Sequence, residues 1–174
     1  MRFEKVSYEA FMKDLTRHGF GWMPEDEKKK AWEEIKLPER KTKYSAGYDI
    51  VAPIDFHILP HGKVVVPSGI KVYFAPDEMK SWHLCLYIRS SIGIRKGVVM
   101  SNQTGIIDSD YFGNNDNEGD MLISLTNTED HVVKFRAGER VLQGVFEIHG
   151  IVPHDNASGE RIGGVGSTGN ADNL

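Results

Sequence analysis

After Pro38 the chain consists of short apolar runs separated by Gly, Pro, Asn and Asp, and this pattern constrains the fold more than any other feature. Many short strands at regular spacing, with turn residues between them, are typical of an all-β sandwich or barrel. The candidate strands are residues 46–51, 56–59, 62–66, 70–74, 82–89, 98–101, 121–127, 132–135 and 140–149. The pattern therefore predicts an all-β fold without internal repeats.

The first 38 residues have a different pattern. Residues 2–7 alternate weakly and predict an edge strand. The spacing of Phe11, Met12 and Leu15 predicts one amphipathic helix over residues 8–18, which Gly19 and the following breakers end. Acids at 25–27, then lysines, then Pro38 predict a second helix. We expect segment 8–35 to pack outside the β-fold or to contact another subunit.

Length and charge exclude several classes of function. A chain of 174 residues with 40% hydrophobic and 26% charged residues predicts one globular domain, 1–174. A net charge of −4 argues against a nucleic-acid or membrane-surface binder, although a small anion needs only a local basic cluster. No apolar stretch approaches the roughly 18 residues of a spanning helix. The single cysteine, Cys85, is interpreted as a packing residue and fits a reducing cytoplasm.

Two polar segments are predicted to lie outside the sheets. Residues 113–120 are rich in Asn, Asp and Gly and predict an exposed loop between strands. Residues 153–174 lose the strand pattern and predict a mobile carboxy-terminal arm. Within this arm, residues 163–169 are rich in Gly, Ser and Thr and follow Arg161. Composition favours a frayed terminus, but exposed backbone N–H groups, two hydroxyls and a guanidinium are also suited to phosphate.

The stretch from Arg89 to Tyr111 contains candidate phosphate-binding and catalytic residues. Its first residues, Arg89, Ser90 and Ser91, offer a guanidinium and two hydroxyls, the groups that bind phosphate oxygens. Further on, Asp108 follows a glycine and two isoleucines and precedes Tyr111 by three residues. Phosphate-binding side chains and a carboxylate within one short stretch indicate hydrolysis of a phosphate anhydride by an activated water. Two strands with surface polar residues would explain the same stretch without any chemistry.

Five separated blocks, in order, resemble those of the trimeric deoxyuridine triphosphatases (dUTPases). They are residues 46–50, Arg89-Ser90-Ser91 with Lys96-Gly97, residues 102–111, residues 136–143, and Arg161 with residues 164–169. Segment 8–35 lies outside the usual pattern and resembles an insertion in a variant from Gram-positive bacteria and their phages. The resemblance implies a dUTPase-like β-jelly roll, homotrimers with shared active sites, and hydrolysis of dUTP to dUMP and pyrophosphate with Mg²⁺.

Carried over by position, the resemblance also implies individual roles. Asp108 would activate the attacking water, Gln143 would hold that water, and Asp49 would hold Mg²⁺ through coordinated water. The phosphate-binding residues would be Arg89, Ser90, Ser91, Arg161, Gly166, Ser167 and Thr168. The uracil- and deoxyribose-binding residues would be Asn102, Gly105, Ile107 and Tyr111, with a hairpin over 102–108 reading uracil and Tyr111 excluding a 2′-hydroxyl.

One departure and two alternatives accompany the resemblance. Val165 stands where the family usually has an aromatic residue that stacks on uracil, so we expect a looser lid. A dCTP deaminase shares the fold and an Arg-Ser-Ser block, but it needs a glutamate acting on cytosine. A regulatory protein-binding module on the same scaffold is the second alternative, with segment 8–35 as its docking surface.

Overall fold

The computed structural model of the protein describes residues 1–161 and 163–165. Within them the chain order mixes three α-helices with eleven strands. The elements are β1 (Arg2–Lys5), α1 (Tyr8–Leu15), α2 (Glu25–Glu34), β2 (Tyr48–Val51), β3 (Phe56–Ile58), β4 (Lys63–Pro67), β5 (Ile70–Tyr73), β6 (Trp82–Ile88), α3 (Ser90–Lys96), β7 (Val98–Met100), β8 (Gly105–Ile107), β9 (Leu122–Asn127), β10 (Val133–Phe135) and β11 (Arg140–Ile148). In this part of the chain, no helix has the length and apolar character to cross a membrane.

The strands form two main antiparallel sheets. One has the order β2-β11-β6-β8 and the other the order β4-β9-β7, while β1-β5 and β10-β3 form two-stranded sheets. Alternation along β9 turns Ile123 and Leu125 inward, where both are fully buried. The core lies between the sheets and extends to the helices. The predicted all-β fold is confirmed, and each of the nine candidate runs overlaps a strand.

The stretch after Arg89 departs from the predicted pattern. Residues 90–96 form α3, which ends at Gly97 in the left-handed conformation with φ 58°. A residue with a Cβ at Gly97 would be strained by this backbone conformation and would require the flexible Glu129 side chain to move. The predicted hairpin over 102–108 is wrong, because β7 pairs with β9 whereas β8 pairs with β6. This segment instead crosses from one main sheet to the other.

Segment 8–35 contributes side chains to the hydrophobic core rather than only packing outside the β-fold. The hydroxyl of Ser7 accepts a hydrogen bond from the backbone N–H of Ala10 at 3.1 Å and so caps α1. Phe11 and Leu15 are fully buried and join the same apolar cluster as the sheet residues. The two predicted helices are confirmed, and they contribute to the stability of the β-fold.

Residues 113–120 form a loop between β8 and β9, as predicted, but the prediction that this loop is exposed is wrong for most of it. Asn114, Asn117 and Asp120 are all buried. The Asn114 Oδ1 accepts from the backbone N–H groups of Asp116 and Asn117 at 3.0 and 3.1 Å. Side-chain amides thus replace water as partners of the loop backbone, which allows a polar segment to be buried. Arg17 contacts the same loop through two hydrogen bonds to the Asp116 carboxylate, at 2.8 and 2.6 Å.

Glu118 connects this loop to the start of α1 and to β5 through hydrogen bonds, so its replacement should lower the free energy of unfolding in a pH-dependent way. Its carboxylate accepts from the Ser7 hydroxyl at 2.6 Å and from the Lys71 ammonium at 2.9 Å. Partial burial opposes ionisation, but these bonds dominate and lower its pKa from 4.5 to about 2. A lowered folded-state pKa stabilises the protein above the unfolded value and loses that effect as the pH falls toward the folded value.

We therefore expect Glu118→Gln to lower the free energy of unfolding by about 1–2 kcal/mol at neutral pH, after allowing for solvent screening. The difference from the parent should shrink at about pH 3. Urea unfolding at both pH values and one protein concentration measures it. Glu33→Gln, an exposed change on α2, is the control. An equal loss at both pH values would contradict the ionic role of Glu118.

Candidate functional site

A cleft of about 510 Å³ opens between the edges of the two main sheets. Val65, Leu122 and Ser124 line it from the β4-β9-β7 sheet. The opposite wall comes from β6, β8 and the crossing segment. The residues of that wall are Leu86, Asn102, Gly105, Ile106, Ile107, Asp108 and Tyr111. All the predicted base- and sugar-binding residues therefore lie at one cleft, together with Asp108.

Strand β8 is the edge of its sheet in the described part of the chain, and it faces this cleft. An edge strand presents backbone N–H and C=O groups that no neighbouring strand uses. Gly105 lies opposite Leu86, and a Cβ at Gly105 would come 3.2 Å from the Leu86 Cβ. A larger residue would therefore narrow the cleft. This wall can hydrogen-bond a flat ring that carries alternating donors and acceptors.

Tyr111 forms one end of the cleft, and hydrogen bonds to its hydroxyl fix the position of its ring. It is 6% exposed, and its hydroxyl accepts from the Asn117 amide at 3.1 Å and donates to the Asp120 backbone carbonyl at 3.3 Å. Burial raises the pKa of its phenol, so the hydroxyl is neutral at physiological pH. The result is a rigid aromatic surface at the cleft.

Two carboxyl groups, Asp14 and Asp120, are fully buried behind this tyrosine. Asp120 Oδ1 accepts from the Gly69 N–H at 2.8 Å. Burial raises the pKa of both carboxyl groups, and for Asp120 the nearby Asp14 adds to the effect. Because Asp14 belongs to α1, segment 8–35 contributes to the buried groups that lie behind Tyr111.

Asp108 lies at the mouth of the cleft, paired with Arg161. The Arg161 guanidinium donates to Asp108 Oδ2 at 2.7 Å and to Asp110 Oδ1 at 2.8 Å. Its charged end also lies 5.5 Å from the centre of the Tyr111 ring. The side chain of Arg161 is only 12% exposed, whereas that of Asp108 is 54% exposed. A cation of the carboxy-terminal arm therefore covers the predicted base in this arrangement.

Residues that sequence reasoning missed also contribute to this cleft. His18, from the turn after α1, lines it, and burial lowers the pKa of its imidazole. Asp110 holds Arg161. Val165, already marked in the sequence as standing in place of an aromatic residue, lies exposed on the rim. No local pattern marks His18, because its position depends on how the inserted segment packs.

A second group of predicted residues surrounds Asp49. The Asp49 carboxylate binds the Arg89 guanidinium at 2.9 Å and that of Arg140 at 3.0 Å. Gln143 lies directly opposite Asp49 across the β2-β11 pair, so the two side chains share one face of the sheet. Ser90 and Ser91 follow Arg89 as the first residues of α3. Arg140 was not predicted as a site residue.

Gly47 explains how β2 approaches Gln143. A Cβ at this position would lie 2.7 Å from Gln143 Oε1 and 3.0 Å from Gln143 Cβ. A side chain there would displace the glutamine amide. The glycine of the first sequence block therefore positions the glutamine of the fourth.

The two groups do not meet within one chain. Asp108 follows Ile107, which lies opposite Leu84 of β6. Arg89 directly follows the end of β6, five residues after Leu84, which is about 16 Å at the usual rise of an extended chain. Among the described residues, the lining of the Asp108 cleft contains none of Asp49, Arg89 and Gln143. Gly166, Ser167 and Thr168 lie outside the described residues.

Comparison with known proteins gives one consistent result. The sequence profile of the dUTPase family matches residues 33–169. The deoxyuridine 5'-triphosphate nucleotidohydrolase of Lactococcus lactis is 42% identical over 137 residues, which are 78% of this chain and 89% of that protein. Its counterpart in Haemophilus influenzae is 34% identical over 115 residues, 65% of this chain and 70% of the relative.

Solved structures agree. The dUTPase of Streptococcus mutans has a TM-score of 0.66 and 32% identity, covering 87% of this chain and 98% of its own. The dUTPase of phage phi11 of Staphylococcus aureus has a TM-score of 0.59 and 19% identity, covering 73% of this chain and 92% of its own. The phage likeness concerns the fold alone.

Proposed function

The chain belongs to the dUTPase family, and from that premise we propose how it hydrolyses dUTP to dUMP and pyrophosphate. One observation carries the proposal. Asp108 lies at the mouth of a cleft with the ring of Tyr111 at its end, and one wall is the edge of β8, which pairs on that side with no other strand of the described residues. The other residues take roles that this arrangement supports.

Uracil would enter between the sheets and pair with the backbone edge of β8. Its ring presents alternating carbonyl and N–H groups, which match the acceptors and donors of an extended strand. Gly105 keeps the wall open, and buried Ile107 fixes the strand. Asn102 would add a side-chain contact from the crossing segment.

The deoxyribose would lie against Tyr111. Because this ring is buried and hydrogen-bonded through its hydroxyl, it cannot move aside for a 2′-hydroxyl. Steric exclusion by a fixed ring therefore favours deoxyribose over ribose. The inserted segment supports this selection through the loop that holds Tyr111.

The carboxylate of Asp108 would take a proton from the attacking water, in line with the α-phosphorus. Gln143 would hold the same water. Arg89, Ser90 and Ser91 would bind phosphate oxygens, and Arg161 with Gly166, Ser167 and Thr168 would close over the triphosphate. Arg161 would exchange Asp108 for phosphate when substrate binds, which frees the carboxylate for the water.

Asp49 is the residue that would hold Mg²⁺. A carboxylate is a suitable donor, and Mg²⁺ usually takes one or two carboxylates, several waters and substrate phosphates. Because two guanidinium groups already occupy the Asp49 oxygens, an indirect contact through water fits better than direct ligation. Bound Mg²⁺ would spread the charge of the triphosphate. One phage phi11 relative is described with a structural Mg(II) ion.

The distance between the two groups supports a site shared between subunits. Arg89 is separated from the Asp108 end of β8 by about 16 Å of strand. Gln143 lies opposite Tyr87, about 10 Å along β6 from Leu84, and β11 is two strands away from β8. Neither side chain can reach the water at Asp108 of its own chain. A second copy that brings its Asp49 group to the Asp108 cleft would complete the site. Cyclic association of this kind generates closed rings. We therefore infer a homotrimer, as the resemblance implies.

Pyrophosphate release from a nucleotide panel tests the activity. We expect fast release from dUTP and slow release from dTTP, UTP and dCTP. In the reaction with dCTP, the cytosine should keep its amino group, because the cleft offers Asp108 rather than a glutamate. Comparable turnover of UTP would contradict the role of Tyr111, and ammonia release from dCTP would favour the deaminase alternative.

Val165→Phe should lower the KM for dUTP about five-fold or more, since stacking of a base on an aromatic residue contributes about 1–3 kcal/mol. Val165 is exposed on the rim of the cleft, so an aromatic ring at this position can reach a bound base. Steady-state kinetics measure the effect, with Val165→Leu as the control for added volume. A KM unchanged from the parent would show that the base needs no stacking partner from residue 165.

A protein partner and a cytoplasmic location stay predictions. A solved relative from phage 80alpha is described as controlling transfer of virulence genes. At 19% identity, this likeness shows the fold alone. The single cysteine fits a reducing cytoplasm.

A further inference from the structure

A cluster of side chains of the types that bind metal ions lies on the two central strands of the four-stranded sheet, apart from the Asp108 cleft. His83 and Cys85 are two residues apart on β6 and therefore share one face. Glu147 of β11 is the direct cross-strand partner of His83. The nitrogen, sulfur and oxygen ligand atoms of these three residues all lie within 4.8 Å of one another.

A fourth donor borders the cluster. His149 follows β11, and its Nδ1 lies 3.2 Å from Nδ1 of His83. Two nitrogens bound to one tetrahedral Zn²⁺ at about 2.0–2.1 Å would be separated by roughly 3.3 Å. The histidine pair is thus already spaced like two ligands of one ion, and side-chain rotations would complete the set.

The surroundings suit a bound metal ion. The Tyr87 hydroxyl donates to Glu147 Oε1 at 2.7 Å, which leaves Oε2 free to turn toward the cluster. Hydrogen bonds of this kind orient the ligands in known metal sites. Cys85 is 4% exposed, whereas His149 is exposed and His83 and Glu147 are partly so. The sulfur is therefore the buried ligand, and solvent reaches the site on the side of the two histidines and Glu147.

We propose that His83, Cys85, Glu147 and His149 bind one Zn²⁺ ion per chain. Imidazole, thiolate and carboxylate are the ligands of protein zinc sites, while Mg²⁺ takes oxygen ligands and disfavours a thiolate. The site is therefore chemically distinct from the Mg²⁺ site inferred at Asp49. It would tie β6 to the end of β11, from which the arm carrying Arg161 departs.

Cobalt spectroscopy of the untagged full-length protein tests the proposal. The protein is stripped with a chelator and kept in excess Mg²⁺, so that oxygen-only sites are filled. Added Co²⁺ should produce a near-ultraviolet thiolate charge-transfer band and the visible bands of tetrahedral cobalt. Stoichiometric Zn²⁺ should then abolish both. Because Cys85 is the single cysteine, a thiolate band can come from no other residue.

Variants assign the ligands. Cys85→Ser should lose the charge-transfer band, and Glu147→Gln should weaken Zn²⁺ binding at least ten-fold in a competition titration. His131→Gln changes an exposed histidine outside the cluster and should bind Zn²⁺ like the parent. The dUTP hydrolysis of each variant, assayed with Mg²⁺ but without Zn²⁺, shows that it folds. Absence of the band in the parent, or equal Zn²⁺ affinity of Glu147→Gln and His131→Gln, would overturn the proposal.

Discussion

Asp108→Asn should lower kcat for dUTP about 10²–10⁴-fold, the usual contribution of a positioned general base. The amide keeps the size of the side chain and can still contact Arg161, but it cannot accept a proton from water. Asp108 is more than half exposed at the cleft mouth, so the change costs little stability. Single-turnover pyrophosphate release measures the step, and the KM should change far less than kcat.

Asp110→Asn is the matched control. Asp110 is two residues away, is 51% exposed and binds the same guanidinium as Asp108. We expect it to lose less than about ten-fold in kcat, because it holds Arg161 without facing the water. Equal losses in the two variants would mean that the acids act through Arg161 and that the base lies elsewhere.

A mixture of two inactive variants should recover activity. Asp108→Asn removes the base, whereas Arg89→Ala removes a phosphate contact at the other end of β6. If each site takes Arg89 from one chain and Asp108 from another, random assembly leaves about a quarter of the sites with both groups intact. The two proteins are unfolded together, refolded and assayed against each alone.

The control mixture pairs Asp108→Asn with Tyr111→Ala. Both residues line the same cleft of one chain, so every cleft in the mixture carries one defect and activity should not return. Failure of the Asp108→Asn and Arg89→Ala mixture to exceed this control would place all the groups in one chain and exclude a shared site.

The strands could be predicted because their signal is local. Alternation and turn residues set β2 to β7 and β9 to β11 within a few positions. Helix α3 was missed because Gly93 and two isoleucines in seven residues are poor helix formers, and packing of Ile92 decides its structure. Strand β8 was missed because three residues show no periodicity.

The site could be predicted residue by residue but not as an arrangement. Asp108 was marked by its sequence block, yet its pairing with Arg161 joins residues 53 positions apart. Arg140 was overlooked because its contact with Asp49 appears only when β11 and β2 pair. The burial of residues 113–120 was missed because composition records polarity and not whether amides satisfy a loop internally.

The burial of Phe11 and Leu15 has a consequence for studies of binding partners. A shortened chain without residues 8–35 would expose a large apolar surface, remove Asp14 and leave Asp120 behind Tyr111 without part of its covering. It would adhere to unrelated proteins and would lose activity for reasons unconnected with recognition. Charge reversals at outward-facing positions such as Lys29 and Lys30, which leave the interior intact, are the sound way to look for a docking role.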